Sequence, residues 1–566
     1  MSVNKRWIYL EADENKVAHL QEVLKINPIL CKLLVLRGIT TFEEAENFFR
    51  PKLEQLHNPF LMKDMDKAID RIEKAMTNNE KVLIYGDYDV DGTTSVALMA
   101  SYLRSKYNLV YTYIPNRYDE GYGISYKGIH FALENHFTLV IALDCGIKSV
   151  DKVAYAKELG IDFIICDHHR PAEIIPDAAA VLDPKREDCS YPYKELCGCG
   201  VGFKLIQALA QKDGQSAEDL MPYLDLVATA IGADIVPIDG ENRVLAYFGL
   251  LVINTNPRPG IKAILNQVEK TELTITDVVF VVAPRINAAG RMEHGNFAVR
   301  LLTEEDHDLA AKYASEINDY NLDRRETDKQ ITEEALKQIE EQNQQNRLTT
   351  VVYHENWHKG VIGIVASRLT ETYYRPTLVF TKSGNTLAAS ARSVRDFDIY
   401  NALEACSEHI EQFGGHKYAA GLTLLEENYE AFKQAFEDVV SKTIDRNLLT
   451  PEIKIDAQIN LETITPKFYR ILKQFAPFGP NNMTPVFMTD NLIDTGYGKC
   501  VGEDKTHLRI TVAQPKSKSL VAIGFGMGDK FDIVAHKKPF KAVYSIDENE
   551  WQGNVSLQLK LRDIKE

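Results

Sequence analysis

Lys81-Val82-Leu83-Ile84-Tyr85-Gly86-Asp87-Tyr88-Asp89-Val90-Asp91-Gly92 carries a short apolar run of β type straight into three aspartates at alternate positions. A helix-forming stretch, residues 93–103, follows. Three carboxylates on one strand-to-helix turn repel one another, and binding hard divalent cations is the cheapest way to hold them there. The plain alternative is a solvated Asp-rich turn. The rest of the chain decides between the two.

Between residues 62 and 255, β-type runs at 81–86, 109–114, 139–143, 163–166 and 178–182 alternate with helical stretches. That alternation predicts α/β architecture with a doubly wound parallel sheet, and such sheets bind ligands beyond the carboxyl ends of their strands. Asp87/Asp89/Asp91, Asp144 and Asp167-His168-His169 each follow an apolar run directly, so three strands deliver carboxylates and imidazoles to one edge. Asp234, which closes the apolar helical stretch beginning near Leu224, is a further arm. Taken singly, each residue reads as a cap, a turn Asp or a satisfied core His. Taken together, their uncompensated charge would be expensive. Two divalent ions about 3.5–4 Å apart would neutralise it, activate a water and stabilise in-line displacement at phosphorus. The imidazoles favour Mn2+ over Mg2+.

The 566 residues are 45% hydrophobic and 26% charged, which fits a globular protein of three or four domains. A formal charge of −16 argues against a body coated in basic patches, yet a metal-lined cleft with a few Arg and Lys can still take phosphate. With no 18-residue apolar run and no signal-type N-terminus, a cytoplasmic protein without membrane contact is expected. Eight cysteines are too few for a disulfide scaffold; Cys189, Cys197 and Cys199 form a loose cluster for which zinc is an alternative use.

Along the chain we expect an N-terminal helical segment (1–60), a catalytic α/β domain (61–303), a long, mostly solvated connector helix (304–347), a second α/β domain (348–447) and a C-terminal β-barrel (448–566). The second domain carries two polar segments, Ser390-Ala391-Arg392-Ser393 and Gly414-Gly415-His416-Lys417-Tyr418-Ala419-Ala420-Gly421.

Asp-Tyr-Asp-Val-Asp-Gly, then Asp144, Asp167-His168-His169 and Asp234, resemble the four motifs of the DHH phosphoesterase superfamily, and the two polar segments resemble its DHHA1 domain. Trp357-His358-Lys359-Gly360-Val361-Ile362-Gly363, Ala283-Pro284-Arg285-Ile286-Asn287-Ala288-Ala289-Gly290-Arg291 and Pro477-Phe478-Gly479 are similar, more narrowly, to the RecJ family of single-strand-specific 5′→3′ DNA exonucleases. The resemblance covers about residues 60 to 566. It implies an OB-fold for the barrel and a role in DNA recombination and repair. It implies two divalent metal ions, Mn2+ first and Mg2+ second, on Asp87, Asp89, Asp91, Asp144, His168 and Asp234, with Asp144 bridging. Asp167 would orient a ligand imidazole, and His169 would face the scissile phosphate. Many superfamily members have His where this chain has Tyr85, so Asp87 is expected to supply that arm. Single-stranded DNA is the implied partner of a monomer, with a single-strand-binding protein and a helicase as further partners.

Arg117, Ser390 and Arg392 are candidate receptors for a 5′ phosphate, and Arg285, His416 and Gly415 are candidates for DNA contact. Arg291 is equally well read as a surface ion pair. In the barrel, Tyr544 and Trp551 are candidate stacking platforms, whereas Phe487 and Phe525 read at least as well as core; Lys537 and Lys538 are the local basic pair. The rival readings are a DHH-type phosphodiesterase acting on short oligonucleotides or cyclic dinucleotides, and a catalytically silent DNA scaffold. The barrel argues against the first, and the intact acidic set against the second.

Overall fold

The computed structural model describes residues 4–268, 270, 272–515, 517–535, 538–551 and 553–566, without the side chain of Trp551. Lys537 and the Trp551 side chain therefore lie outside the described residues. The chain forms two compact units, one of Glu43–Asp323 with Gln474–Met483, the other of Met1–Phe42, Arg324–Lys473 and Thr484–Glu566. No helix among the described residues is long and apolar enough to cross a membrane.

The first unit is built on five parallel strands, β1 (Lys81–Gly86), β2 (Val110–Tyr113), β3 (Phe137–Leu143), β4 (Asp162–Cys166) and β5 (Ala180–Leu182), in the order β2-β1-β3-β4-β5. Val82, Leu83, Ile84 and Tyr85 are all buried, as a central strand covered on both faces requires. The strand order reverses between β1 and β3, which places the ligand crevice at their carboxyl ends. Helices α1 (Val90–Arg104), α2 (Gly198–Lys212) and α3 (Leu224–Asp234) pack together on one face and share its apolar core.

Residues 474–483 join this unit although their neighbours in sequence belong to the other. The Arg243 guanidinium lies 3.7 Å from the Phe48 ring centroid and donates to the carbonyls of Gln474, Phe475, Ala476 and Pro477.

The connector is α5 (His307–Glu341), preceded by α4 (Ala283–Met292). It is less solvated than its polar sequence predicts. Ala310, Ala314, Ile317, Asn321, Asp328, Ile331, Ala335 and Ile339 make a buried stripe at helical spacing, much of it small or polar. Asp328 is held there by the Arg368 guanidinium at 2.7 Å.

In the second unit, β6 (Thr350–Tyr353), β7 (Thr377–Ser383), β8 (Thr386–Arg392), β9 (Gln412–His416) and β10 (Ala419–Leu425) form a sheet in the order β9-β10-β8-β7-β6, with α6 (Ile362–Tyr373) against β7 and β8. The barrel strands β11 (Phe487–Asp494), β12 (His507–Ala513), β13 (Leu520–Gly524), β14 (Phe540–Trp551) and β15 (Asn554–Lys565) close in the order β11-β12-β13-β15-β14-β11, with β13 and β15 parallel. That is the Greek-key connectivity of an OB-fold. The N-terminal segment is not purely helical. Arg6–Tyr9 is a strand paired in parallel with Glu452–Ile455, and four residues of mixed polarity gave no period to read.

Candidate metal centre

Backbone geometry holds Asp87, Asp89, Asp91 and Asp144 in place. Asp89 caps α1, its Oδ1 accepting from Gly92 N at 2.9 Å. Gly92 has no substitute, because a Cβ there would meet the Asp87 backbone at 2.4 Å. Asp91, in the first turn of α1, accepts from Gly198 N (2.6 Å) and Cys199 N (2.7 Å), the first turn of α2. Two N–H groups at a helix N-terminus hold a carboxylate firmly. The Cys197–Cys199 cluster serves this arrangement: Cys197 Sγ accepts from Gly200 N at 3.3 Å and caps α2. None of these cysteines belongs to a group able to hold a metal among the described residues.

Asp144 follows β3 with φ 59°, left-handed for a non-glycine residue and unfavourable by roughly 1–2 kcal/mol. This turn directs its carboxylate toward His168, whose Nε2 lies 3.2 Å from Asp144 Oδ1, 3.7 Å from Asp234 Oδ2 and 3.8 Å from Asp91 Oδ2. Asp144 Oδ1, His168 Nε2 and Asp87 Oδ2 are buried and make no hydrogen bond. Carboxylates and an imidazole converging with polar atoms left unpaired is the donor set a divalent cation needs. Asp87 and Asp89 lie close enough to perturb the others but fall outside the two tightest groups, Asp91/His168/Asp234 and Asp144/His168/His169. Both His169 ring nitrogens face side chains instead, Nδ1 at 2.7 Å from Asp167 Oδ1 and Nε2 at 3.2 Å from the Tyr122 hydroxyl.

Electrostatics separate these roles. Burial, reinforced by the charge of Asp89, pushes Asp91 up to about 7, and burial with Asp91 and Asp89 pushes Asp234 up to about 8. Asp87 and Asp144 rise well above the carboxylate range for the same reasons. Burial and the neighbouring His169 hold His168 down at about 3, leaving the neutral imidazole that ligates metals. Asp167 goes the other way. Burial alone would raise it, but the His169 hydrogen bond and charge and the Ile147 N–H bring it down to about 2.

Tyr85 is fully buried; its hydroxyl donates to Gly123 O at 2.9 Å and accepts from Ser125 N at 3.2 Å. It thus shapes the 120s loop. Arg117 stacks on Tyr88 at 4.1 Å, with its Nε buried and unpaired. Arg285 is occupied within its own unit, bonding Asn318 Oδ1 at 3.2 Å and Val281 O at 2.8 Å.

In the second unit, Arg392 Nη1 donates to Ser390 Oγ at 3.0 Å, and Gly363 in the first turn of α6 leaves room beside both groups. Through the β8-β10-β9 register, Arg392, Ala419 and His416 form one cross-strand row and Ser390, Gly421 and Gly414 the next, with Gly415 between them on β9. In the barrel the stacking assignment needs correction. Tyr544 is fully buried and bonds Thr489 Oγ1, because it faces inward with Phe487, its cross-strand neighbour on β11; the opposite side of β14, at Val543, is covered by Ile455, Ile453 and Trp7. Phe487 is core as expected, whereas Phe525 is 57% exposed beside Lys560 and His507.

Two residues at the metal edge escape a reading of the sequence. Asp183 follows β5 as the other aspartates follow their strands; it is fully buried, one oxygen accepts from Lys185 N at 2.7 Å, the other is unpaired, and burial pushes it up to about 7. Tyr122 is signalled only by the glycines on either side of it.

Comparison with known proteins shows how far this arrangement is shared. Residues 81–231 match the DHH family N-terminal domain, 345–442 the DHHA1 domain and 455–563 the RecJ OB domain. The single-stranded-DNA-specific exonuclease RecJ of Bacillus subtilis is 36% identical over 99% of this chain and 70% of its own length. That of Salmonella typhimurium is 33% identical over 95% of this chain and 96% of its own. The crystal structure of Thermus thermophilus RecJ in complex with Mn2+ superposes with a TM-score of 0.85 at 25% identity, covering 100% of this chain and 80% of that one. The three domain matches follow one another along the chain, its relatives match it over nearly its whole length, and the chain belongs to the RecJ family of single-stranded-DNA-specific exonucleases.

Proposed function

We propose that this chain degrades single-stranded DNA from the 5′ end, releasing 5′-mononucleotides at two divalent cations, Mn2+ preferred and Mg2+ the alternative, in recombination and repair. The observation that carries this reading is the closure of Asp91, Asp144 and Asp234 on His168 Nε2 within 3.8 Å, with unpaired polar atoms between them. Asp91, Asp144, His168 and Asp234 would hold one ion, and Asp87, Asp89 and Asp144 the other. Cations bound there supply an activated water and neutralise charge at phosphorus.

The chain's own groups do the rest. The N–H groups of α2 keep Asp91 from collapsing onto the neighbouring carboxylates. Asp167, anchored by the N–H groups of Ile147, His168 and His169, aims the His169 ring at the scissile phosphate as a charge-stabilising donor. On the second unit, Ser390 and Arg392 would receive the 5′ phosphate, with His416 and Gly415, both on β9, following the backbone. Arg117 would take a phosphate on the first unit through its free Nε. On the barrel, Phe525 with Lys560, His507 and Arg509 lies on the β12–β13 side through which OB-folds bind oligonucleotides. Contacts to the backbone carry no base information, so sequence would be ignored.

The test is incubation with Mn2+ and end-labelled single-stranded, duplex and dinucleotide substrates. Mononucleotides released from the 5′ end of single strands are the expected product. Cleavage of the dinucleotide alone would favour the small-substrate phosphodiesterase instead.

A further inference from the structure

The loop after β2 presents an exposed aromatic residue, Tyr122, at the metal edge. Gly121 and Gly123 adopt φ 78° and 79°, left-handed values that glycine reaches without strain, and Tyr122 stands between them. Both flanks are pinned. Gly123 N donates to Asp87 Oδ1 at 3.3 Å and its carbonyl accepts from Tyr85; Glu120 accepts from Asn116 N at 2.8 Å and Tyr113 OH at 2.9 Å. A loop so fixed, carrying a side chain that remains 49% exposed, holds that side chain for something other than core packing.

What Tyr122 touches is the reacting edge. Its hydroxyl donates to Asp144 O at 3.2 Å and lies 3.2 Å from His169 Nε2. Its ring meets those of His169 and Tyr88 edge-on, at 5.9 and 6.1 Å between centroids. The His169 imidazole is therefore gripped at both nitrogens, by Asp167 at Nδ1 and by Tyr122 at Nε2. Asp167 alone restrains the ring at one nitrogen and leaves some swing about its two side-chain torsions. A second contact at Nε2 narrows that swing, and the same hydroxyl ties the end of β3 to the end of β4.

We propose that Tyr122 is a positioning residue for hydrolysis: its hydroxyl sets the orientation of the His169 ring and keeps Nε2 at the place where a phosphate oxygen arrives. The incoming oxygen takes over the contact at Nε2, and the ring needs no search for its working pose. The inference rests on the proposed role of His169 at the scissile phosphate.

The experiment is a double-mutant cycle with Tyr122→Phe and His169→Ala, read by single-turnover cleavage of a 5′-labelled single strand, together with long-range 15N NMR of the histidine rings in metal-free protein. Tyr122→Phe should lower kcat by about three- to tenfold, the worth of one hydrogen bond, with KM and Mn2+ affinity unchanged. On the His169→Ala background the same change should have no effect, because Tyr122 acts through that ring. The His169 Nε2 resonance should shift in Tyr122→Phe. Equal loss on both backgrounds, or an unmoved Nε2 resonance, would overturn the proposal. Wild-type turnover in His169→Ala itself would instead refute the role given to His169.

Discussion

The metal edge of the first unit and the barrel of the second put their functional side chains in place by opposite means. At the metal edge three carboxylates have a dedicated backbone partner, a left-handed turn or a glycine that allows close approach: Gly92 for Asp87, the α2 N-terminus for Asp91, φ 59° for Asp144. On the barrel the exposed groups, Lys560 and Arg509 on strands and Phe525 in the turn after β13, simply stand on a framework whose interior is filled. Chemistry at phosphorus demands fixed positions, whereas a stacking surface for a polymer needs only exposure. Small backbone changes should therefore be ruinous in the first region and tolerable in the second.

The largest expected effect tests that contrast directly. A Cβ on Gly198 would lie 2.5 Å from Asp144 Cβ, so Gly198→Ala should push α2 off the metal edge and lower kcat by about 100-fold or more. Gly526, on the barrel, has open space at its Cβ; its φ of 67° predicts a modest stability loss for Gly526→Ala with turnover on short strands retained. Equal losses in kcat would erase the distinction.

Next in size is the 5′ end. Arg392→Ala should weaken kcat/KM on 5′-phosphorylated strands by about 1.5–3 kcal/mol, the usual worth of hydrogen bonds to charged groups, and spare 5′-hydroxyl strands. An unchanged ratio between the two substrates would assign Arg392 to internal backbone. Phe525→Ala should weaken binding of long single strands by about 1–2 kcal/mol and leave a trinucleotide unaffected. Deleting the barrel is not an equivalent test. A truncation after residue 450 also removes Gln474–Met483, the segment that Arg243 grips in the first unit.

How legible each region is in sequence follows from the same contrast. Asp87, Asp144 and Asp167 sit one residue past apolar runs, so the sequence alone places them on one sheet edge. It does not place Tyr122 there, because the partners His169 and Asp144 are brought together only by the sheet. Barrel strands show their period of two, but that period does not say which face is covered. Tyr544 turns inward with Phe487, while Val543 beside it is buried too because the N-terminal strand and the Glu452–Ile455 strand cover the other side of β14, and those two strands pair across more than 400 residues of sequence. The buried stripe of α5 is hidden for a different reason, being made of Ala, Asn and Asp as much as of Ile.

The smallest effect expected is on stability. Without cations, Asp91 and Asp234 have folded pKa values of about 7 and 8, above the ordinary 3.8. A raised carboxyl pKa means that the folded state binds the extra protons. Its stabilisation is complete at acid pH and is lost as pH rises through the interval from about 4 to 8. Thermal denaturation of chelator-treated protein should show Tm falling by a few degrees across that interval, and Mn2+ should flatten the slope. A Tm that rises with pH in the metal-free protein would mean the carboxylates are already neutralised by other groups.

The most direct measurement is titration of Mn2+ into the wild-type protein and Asp144→Ala by calorimetry, with cleavage of a single-stranded oligonucleotide followed on the same samples. The account predicts two bound ions in the wild type, and in Asp144→Ala an intact fold with binding weakened at both sites and hydrolysis abolished, since that carboxylate is shared. Wild-type stoichiometry and affinity in Asp144→Ala, or turnover retained above a few per cent with metal still bound, would contradict it.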